Sequence, residues 1–494
     1  MNTTYQIIKN ALIIVLCTFI AQAQSIDDGV RFIDNPGSVG ARSAAMGNAF
    51  IGVANDYSAV YWNPAGLSFI RRPEFSFGIS NLSASNDATY LGSSLNQTNG
   101  VTVLNNIGFV LPFPVVRGSL VFAVGYNRVN NFNYARSFSG FNTQSSVIPT
   151  LYDPDPDFDA AWQLGLEDTT SIAGNKNIFQ IKNNIDQEGD VIASGSLNQF
   201  ALSGSLEVQR NLSIGFTFGI ITGSYRREKT ITERDSKNLY QGIIPGKDID
   251  RTDFQSMSIS ETIEQDLSGW NSTIALMYDH EDKFRAGFTI KTPSFISIKE
   301  DYFYDGTSRF ANASETWNSR TFNNDYSVTT PWIFSIGVSG KPVEFVTLAG
   351  DVDFVDNKSL NFSDGVTVDA ERHLRDLNKE IKDSKVGLRS TMNYRFGTEV
   401  TIPQTGVQLR AGYSNHQSPY VEDKGKTDYD SKTISFGIGY LLENSFLINA
   451  TYAMNSYSAF HYSYYPDSEA LLNSLRTDEK IDDSTIAFSI AFRF

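Results

Sequence analysis

The sequence predicts an all-β fold, a transmembrane antiparallel β-barrel of about fourteen strands. Three observations predict it: a composition that excludes the main alternatives, period-two alternation from Pro73 to the C-terminus, and links that are short and long by turns. Of 494 residues, 41% are hydrophobic and only 19% charged, so a large apolar surface is available. A mean hydropathy of -0.24 is too polar for a bundle of membrane helices. After residue 23, no stretch holds the run of 18 or more apolar residues that a spanning helix needs. A formal charge of -15 argues against nucleic-acid binding, which requires basic patches.

The N-terminus sets the compartment. Residues 1–23 read as a secretory signal peptide: Lys9 is the only charge, Ala11 to Ile20 is an apolar stretch, and Ala21-Gln22-Ala23 is a small-x-small cleavage site. The stretch is too short for a membrane anchor. Cys17 lies inside it, and Leu16 stands where a lipoprotein signal wants a small residue. A mature chain starting at Gln24 has no thiol, which excludes disulfides, cysteine nucleophiles and thiolate metal sites.

Alternation marks the strands. Leu212, Ile214, Phe216, Phe218 and Ile220 alternate with Ser213, Gly215, Thr217 and Gly219. Phe284, Ala286, Phe288 and Ile290 share one face, with Arg285, Gly287, Thr289 and Lys291 on the other. Ile486, Phe488, Ile490, Phe492 and Phe494 close the chain in the same way. Segments of this kind centre near 77, 109, 123, 204, 216, 274, 287, 335, 350, 391, 410, 437, 449 and 490. Charge falls on the less apolar face, as with Glu207, Asp351, Asp353, Arg389, Arg395 and Arg410. A soluble sheet buries its apolar face against other protein. A barrel turns it to lipid, where an Arg or Lys costs about 2–4 kcal/mol at mid-bilayer. Closure is obligatory there, because a free sheet edge would leave unsatisfied backbone in hydrocarbon. Leu447 breaks the pattern of its strand by sitting on the inner face.

The links give an independent test. Short ones fall near 112–118, 209–211, 279–282, 340–344, 397–405 and 441–445. Long ones fall near 82–102, 129–198, 222–267, 291–330, 356–384, 415–432 and 454–483. Outer-membrane barrels alternate short periplasmic turns with long external loops. An even strand number then puts both termini on the periplasmic side. Within the long links, Asp369 to Asp383 reads as a helix with Leu374, Leu377 and Ile381 on one stripe. Asp467 to Arg476 and Asp157 to Leu166 read as shorter ones.

Before the first strand lies a segment rich in small residues. Gly40-Ala41-Arg42-Ser43-Ala44-Ala45-Met46-Gly47-Asn48-Ala49-Phe50 leads to Ala54-Asn55-Asp56-Tyr57-Ser58-Ala59 and then Trp62-Asn63-Pro64-Ala65-Gly66-Leu67. It resembles the N-terminal plug of the FadL/TodX family of outer-membrane transporters for long-chain fatty acids and aromatic hydrocarbons. The most specific element is Asn63-Pro64-Ala65, followed by Gly66. Asn48 stands where the family has a second glycine. The terminal Phe494 resembles the outer-membrane assembly signal. The resemblance implies a fourteen-stranded barrel over 73–494 with a hatch, residues 24–72, inside the lumen. It further implies a hatch that shifts on ligand binding and a sideways exit through the wall.

Enzyme readings are poor. His280, His373, His416 and His461 are scattered and show no metal-ligand spacing. Adjacent Ser414, Asn415 and His416 point to alternate sides of a strand and cannot form a relay. Asp153-Pro154-Asp155-Pro156-Asp157 lacks the spacing and glycine of a calcium loop. No cofactor is expected. The expected activity is passive uptake of a hydrophobic small molecule across the outer membrane of a Gram-negative bacterium, with membrane lipid as the other contact. Arg285, Arg389 and Arg410 are the inward cations that could meet an acidic head group. The alternative is an accessory barrel that docks a protein partner of the type nine secretion machinery through its external loops. A general diffusion porin would instead have an open aqueous bore.

Overall fold

A computed structural model describes residues 24–33, 39–153, 159–168, 178–245, 249–443, 445–464 and 475–494. The signal segment, Asp155, Asp157 and most of 467–476 lie outside these. Fourteen wall strands run in chain order among the described residues. They are β1 (Glu74–Tyr90), β2 (Ser93–Phe113), β3 (Leu120–Asn131 with Tyr134–Asn142), β4 (Ile185–Gln209), β5 (Leu212–Arg234), β6 (Phe254–His280) and β7 (Phe284–Lys291 with Phe295–Phe310). Then come β8 (Tyr326–Thr329 with Ile333–Val343), β9 (Val346–Asp356 with Asn361–Ser363), β10 (Ser390–Thr401), β11 (Val407–His416), β12 (Ser431–Leu442), β13 (Phe446–Tyr462) and β14 (Arg476–Arg493). Each pairs antiparallel with the next, and β14 pairs back to β1 from Glu74↔Arg493 to Thr89↔Asp478, which closes the barrel. All fourteen expected centres fall within these strands.

The apolar faces point outward. Phe216, Ile220, Phe436 and Phe488 are about half exposed on the outside, while Ser213, Thr217, Asp351, Arg395 and Arg410 are buried inside. Aromatic rings gather at both edges of the apolar band. Trp270 stacks on Phe295 at 4.7 Å, and Phe446 stacks on Phe492 at 4.6 Å. Such girdles mark the two membrane interfaces of a barrel. A Phe216→Arg substitution is therefore expected to cost about 2–4 kcal/mol, read as a shift in the denaturant midpoint of folding into bilayers. An unchanged midpoint would contradict the lipid-facing assignment.

Two expectations are corrected. The long link at 82–102 is a hairpin: β1 and β2 run on to a two-residue turn at Leu91 (φ 48°) and Gly92 (φ 81°). This is the left-handed pair that a tight hairpin requires. Similarly, β5 runs to Arg234 and β6 starts at Phe254, inside the expected 222–267 loop. Above the apolar band the outward face becomes polar, with Ser224, Arg226, Glu264 and Asp266. Apolar alternation ends there while backbone pairing does not.

The second correction concerns the N-terminus. Strand parity places Glu74 and Arg493 together at the short-turn end. Gln24 does not lie there. Its Nε2 donates to Glu300 (3.0 Å), and its carbonyl meets His373 Nε2 (3.0 Å) of helix Val368–Ile381 in the long-loop half. Parity fixes only where β1 begins; among the described residues before it, 39–70 lie in the bore and Gln24 lies in the long-loop half. The helix itself buries Leu374, Leu377 and Ile381, the expected stripe.

Candidate functional site

Residues 39–70 cross the bore. They form two short helices, α1 (Ala41–Ala45) and α2 (Ala59–Trp62), and a 3-10 turn over Pro64–Phe69. Their backbone is bonded by wall side chains from around the circumference. Asp351 of β9 accepts the N–H groups of Phe50 (2.6 Å) and Ile51 (2.9 Å). Glu74 of β1 accepts that of Tyr57 (2.8 Å), and Ser435 of β12 that of Gly47 (3.0 Å). Thr217 of β5 donates to Val60 O (2.9 Å), Ser205 of β4 to Ala65 O (3.0 Å), and Ser339 of β8 to Gly52 O (2.7 Å). A segment without regular pairing thus has its polar backbone satisfied by the wall, as burial demands.

The Asn63–Gly66 motif is one of these contacts. Asn63 Oδ1 accepts Ala65 N–H (3.1 Å), while its amide donates to Ile51 O (2.8 Å) and Leu276 O (3.3 Å). Pro64 starts the turn, where a missing N–H costs nothing. Gly66 lies against Ala54 O, with no room for a Cβ. Wall glycines make the matching space. Gly287↔Gly337 faces Ile51 and Gly52, Gly397↔Gly412 faces Met46 and Gly47, and Gly108↔Gly125 faces Tyr57. A buried ion cluster locks the far side. Glu399 takes Arg42 through Nε (2.8 Å) and Nη2 (3.0 Å), and Arg410 through Nε (2.6 Å).

Above the plug is a cavity of about 40 Å³ lined by Tyr61, Trp62, Lys291, Asp353, Arg395 and His416, among others. Lys291 Nζ lies 4.5 Å from the Tyr61 ring centre, and the Arg395 guanidinium 5.3 Å from that of Trp62. Arg395 also donates to Asp353 (2.7 Å) and lies 3.8 Å from Asp351, the residue that holds the Phe50–Ile51 backbone. None of the three arginines singled out from sequence lines this cavity. Arg285 pairs with Asp282 (2.6 Å) over the Phe69 ring, Arg389 donates to Tyr420 O (3.2 Å), and Arg410 sits with Glu399. Lys291 and Arg395 are inward by alternation too. Only the plug's position separates them from the others.

The wall is parted on one side. β2 pairs with β3 only from Asn106↔Asn127 down to Phe113↔Leu120. Above this, residues 93–104 of β2 pair with β1 alone, and β3 stays with β4. The upper segment of β3 lies against the inner faces of β1 and β14. Ala135 O accepts Asn86 Nδ2 (3.2 Å), and Arg136 (2.7 Å) and Tyr134 both bind Glu479. The two sheet edges overlap without joining.

At the mouth, a second apolar core gathers Phe138, Ile148, Leu164, Leu166, Phe254 and Phe310, among others. Beneath it, Asp159 and Glu167 share a hydrogen bond in the long β3–β4 link. Burial lifts Asp159 to about 6, and burial beside Asp159 lifts Glu167 to about 8. The folded link therefore favours the protonated pair. This stabilisation is complete below the ordinary carboxylate range and is lost as pH rises through 6 and then 8. Hydrogen exchange over 159–168 is expected to speed up across that window, and Asp159→Asn to flatten the change.

The sequence model of a family described as "Outer membrane protein transport protein (OMPP1/FadL/TodX)" matches residues 32–494. No curated protein matches the chain in sequence. A Pseudomonas aeruginosa FadL homologue of solved structure superposes with a TM-score of 0.55 at 13% identity, over 93% of this chain and 98% of that one. The P. putida toluene transporter TodX gives 0.55 at 13%, over 94% and 99%. The Ralstonia pickettii toluene transporter TbuX gives 0.50 at 12%, over 93% and 99%. At these identities the likeness is one of fold. Nothing in these matches supports the alternative of a secretion-machinery docking barrel. By the family match over nearly its whole length, the chain belongs to the OMPP1/FadL/TodX family of outer-membrane transport proteins.

Proposed function

We propose that the protein takes up hydrophobic small molecules, long-chain fatty acids or hydrocarbons among them, from the cell surface and releases them sideways into the outer membrane. The short-turn end then faces the periplasm, and residues 24–72 act as the hatch. One observation carries this reading: the bore is crossed by a bonded plug while the wall stands parted between β2 and β3. The straight path is crossed by bonded backbone, and the interrupted β2–β3 pairing is where the wall is weakest and where we place the exit. An open porin bore does not fit this arrangement. Burial of an alkyl chain contributes about 0.8 kcal/mol per CH₂, so few polar contacts are needed. Lys291 and Arg395, above the plug, are the cations an acidic head group would meet. A head group that draws Arg395 from Asp351 would loosen the clamp on Phe50 and Ile51. The names of the similar solved structures, a FadL homologue and toluene transporters, support the cargo class.

A staple tests the route. Gln97 of β2 and Ser137 of β3 meet across the part at 3.3 Å. The pair Gln97→Cys and Ser137→Cys, bridged by a short bis-methanethiosulfonate linker that spans the lost glutamine side chain, is expected to stop cellular uptake of labelled oleate and toluene and to restore it when the linker is reduced. Uptake indifferent to the staple would remove the lateral route. Uptake no greater than in cells lacking the protein would remove the transport reading.

A further inference from the structure

Two of the three glycine pairs on the inner wall receive plug backbone. The third receives a ring. A Cβ built on Gly108 would fall 1.8 Å from the Tyr57 ring, and one on Gly125 would fall 2.0 Å from its hydroxyl oxygen. The wall is therefore notched to the outline of a phenol. Val110 and Ala123, both buried, form the floor one step below. Asn106 and Asn127 stand one step above, the last pair before β2 and β3 separate.

The polar groups at the notch are incompletely used. The Tyr57 hydroxyl donates to Asn127 Oδ1 (3.1 Å). Asn127 Nδ2 and Asn106 Oδ1 have no hydrogen-bond partner, although Asn127 is 0% and Asn106 1% exposed. Buried groups of this kind are normally paired, and leaving them unpaired is unfavourable. One donor and one acceptor are thus spare beside a ring-shaped space. Both are amides, which suits a neutral partner. The nearby Glu74 carboxylate is committed to the Tyr57 N–H and to Arg493.

We propose that the Gly108–Gly125 notch is a binding site for a single aromatic ring carrying a hydroxyl or similar neutral hydrogen-bonding group, which Tyr57 occupies as a tethered stand-in. The proposal rests on the uptake reading above and narrows its cargo at one point of the path. A free phenolic ring would use the same wall space and engage the spare amide groups. Displacing Tyr57 would open the plug at the foot of the parted wall, where a laterally leaving molecule must pass.

The test uses the full barrel in lipid nanodiscs with Ala59→Cys, a buried plug position two residues from Tyr57, and maleimide labelling as the readout. p-Cresol is expected to accelerate labelling about tenfold more than toluene at equal concentration, the worth of one hydrogen bond. Cyclohexanol, which has the hydroxyl but no flat ring, is expected to do nothing. Tyr57→Phe keeps the ring and loses the hydroxyl bond, so p-cresol should then act at about tenfold lower concentration. Asn127→Leu should erase the difference between p-cresol and toluene. Equal acceleration by cyclohexanol, or none by p-cresol, would overturn the proposal. If toluene uptake by cells persisted in that case, the notch assignment would fall and the transport reading would stand.

Discussion

Replacing Glu399 with leucine is expected to free the plug from the wall without opening the barrel. Glu399 is buried and holds two guanidinium groups, Arg42 from the plug and Arg410 from β11. Removing one partner of a buried ion pair costs about 3–5 kcal/mol, because the remaining charge is left uncompensated. Here two charges are left, and their relief is asymmetric. Arg410 keeps Asn449 (2.9 Å) and stays on a strand held by both neighbours. Arg42 keeps Asp56 (3.2 Å), but its segment has no sheet pairing and can move away. The penalty should therefore fall on the plug. Protease cleavage within 39–70 is expected to rise sharply while the folded barrel band on unheated gels persists. Glu399→Gln keeps one acceptor and should show a smaller effect. Loss of the barrel band in both variants would place the cluster in barrel assembly and not in plug retention.

How much of this was legible before the structure follows from which physics writes itself into single residues. Lipid contact does, because every second residue must be apolar. That is why all fourteen centres lie in strands and Leu447 still turns inward, 7% exposed, without breaking its strand. Backbone pairing outside the bilayer does not. Asn81, Ser83, Asn96 and Thr98 stand outward on one hairpin with no apolar mark. Partner choice is invisible too. Glu399 and Arg410 are direct cross-strand neighbours, but only the register reveals it. The same holds for the glycine pairs. Gly108, Gly287 and Gly412 each look like a small lumenal residue, and their role appears only when Gly125, Gly337 and Gly397 are set opposite them. The lone cationic residues inside a barrel are poor guides to a ligand for this reason. Most are paired, and sequence cannot say with what.

Replacing Gly412 with valine should have the larger consequence for conductance. A Cβ there would sit 1.9 Å from Gly47 N and 2.1 Å from Met46 C, both backbone atoms. A flexible side chain could swing aside, but these atoms cannot move without the plug. Gly47 has φ of 61° and donates to Ser435 Oγ (3.0 Å), so the 46–47 turn is held from a second strand. On the opposite side of the pair, Gly397 is also tight, a built Cβ lying 2.5 Å from Met46 O. Inserting methyl groups into packed interiors typically costs about 1–3 kcal/mol where neighbours can relax. Relaxation here means unseating the plug. Strand β11 keeps its full pairing to β10 and β12, so the wall should remain closed around an emptied bore. Gly412→Val is thus expected to give steady ion conductance in planar bilayers where the parent protein gives little. Gly350→Val is the matched control, because an added Cβ at Gly350 meets nothing closer than 3.5 Å. It should leave the bore closed. If Gly412→Val also stayed closed, plug and wall would be able to separate locally without losing the seal, and the tight glycine contacts would no longer explain how the bore is kept shut.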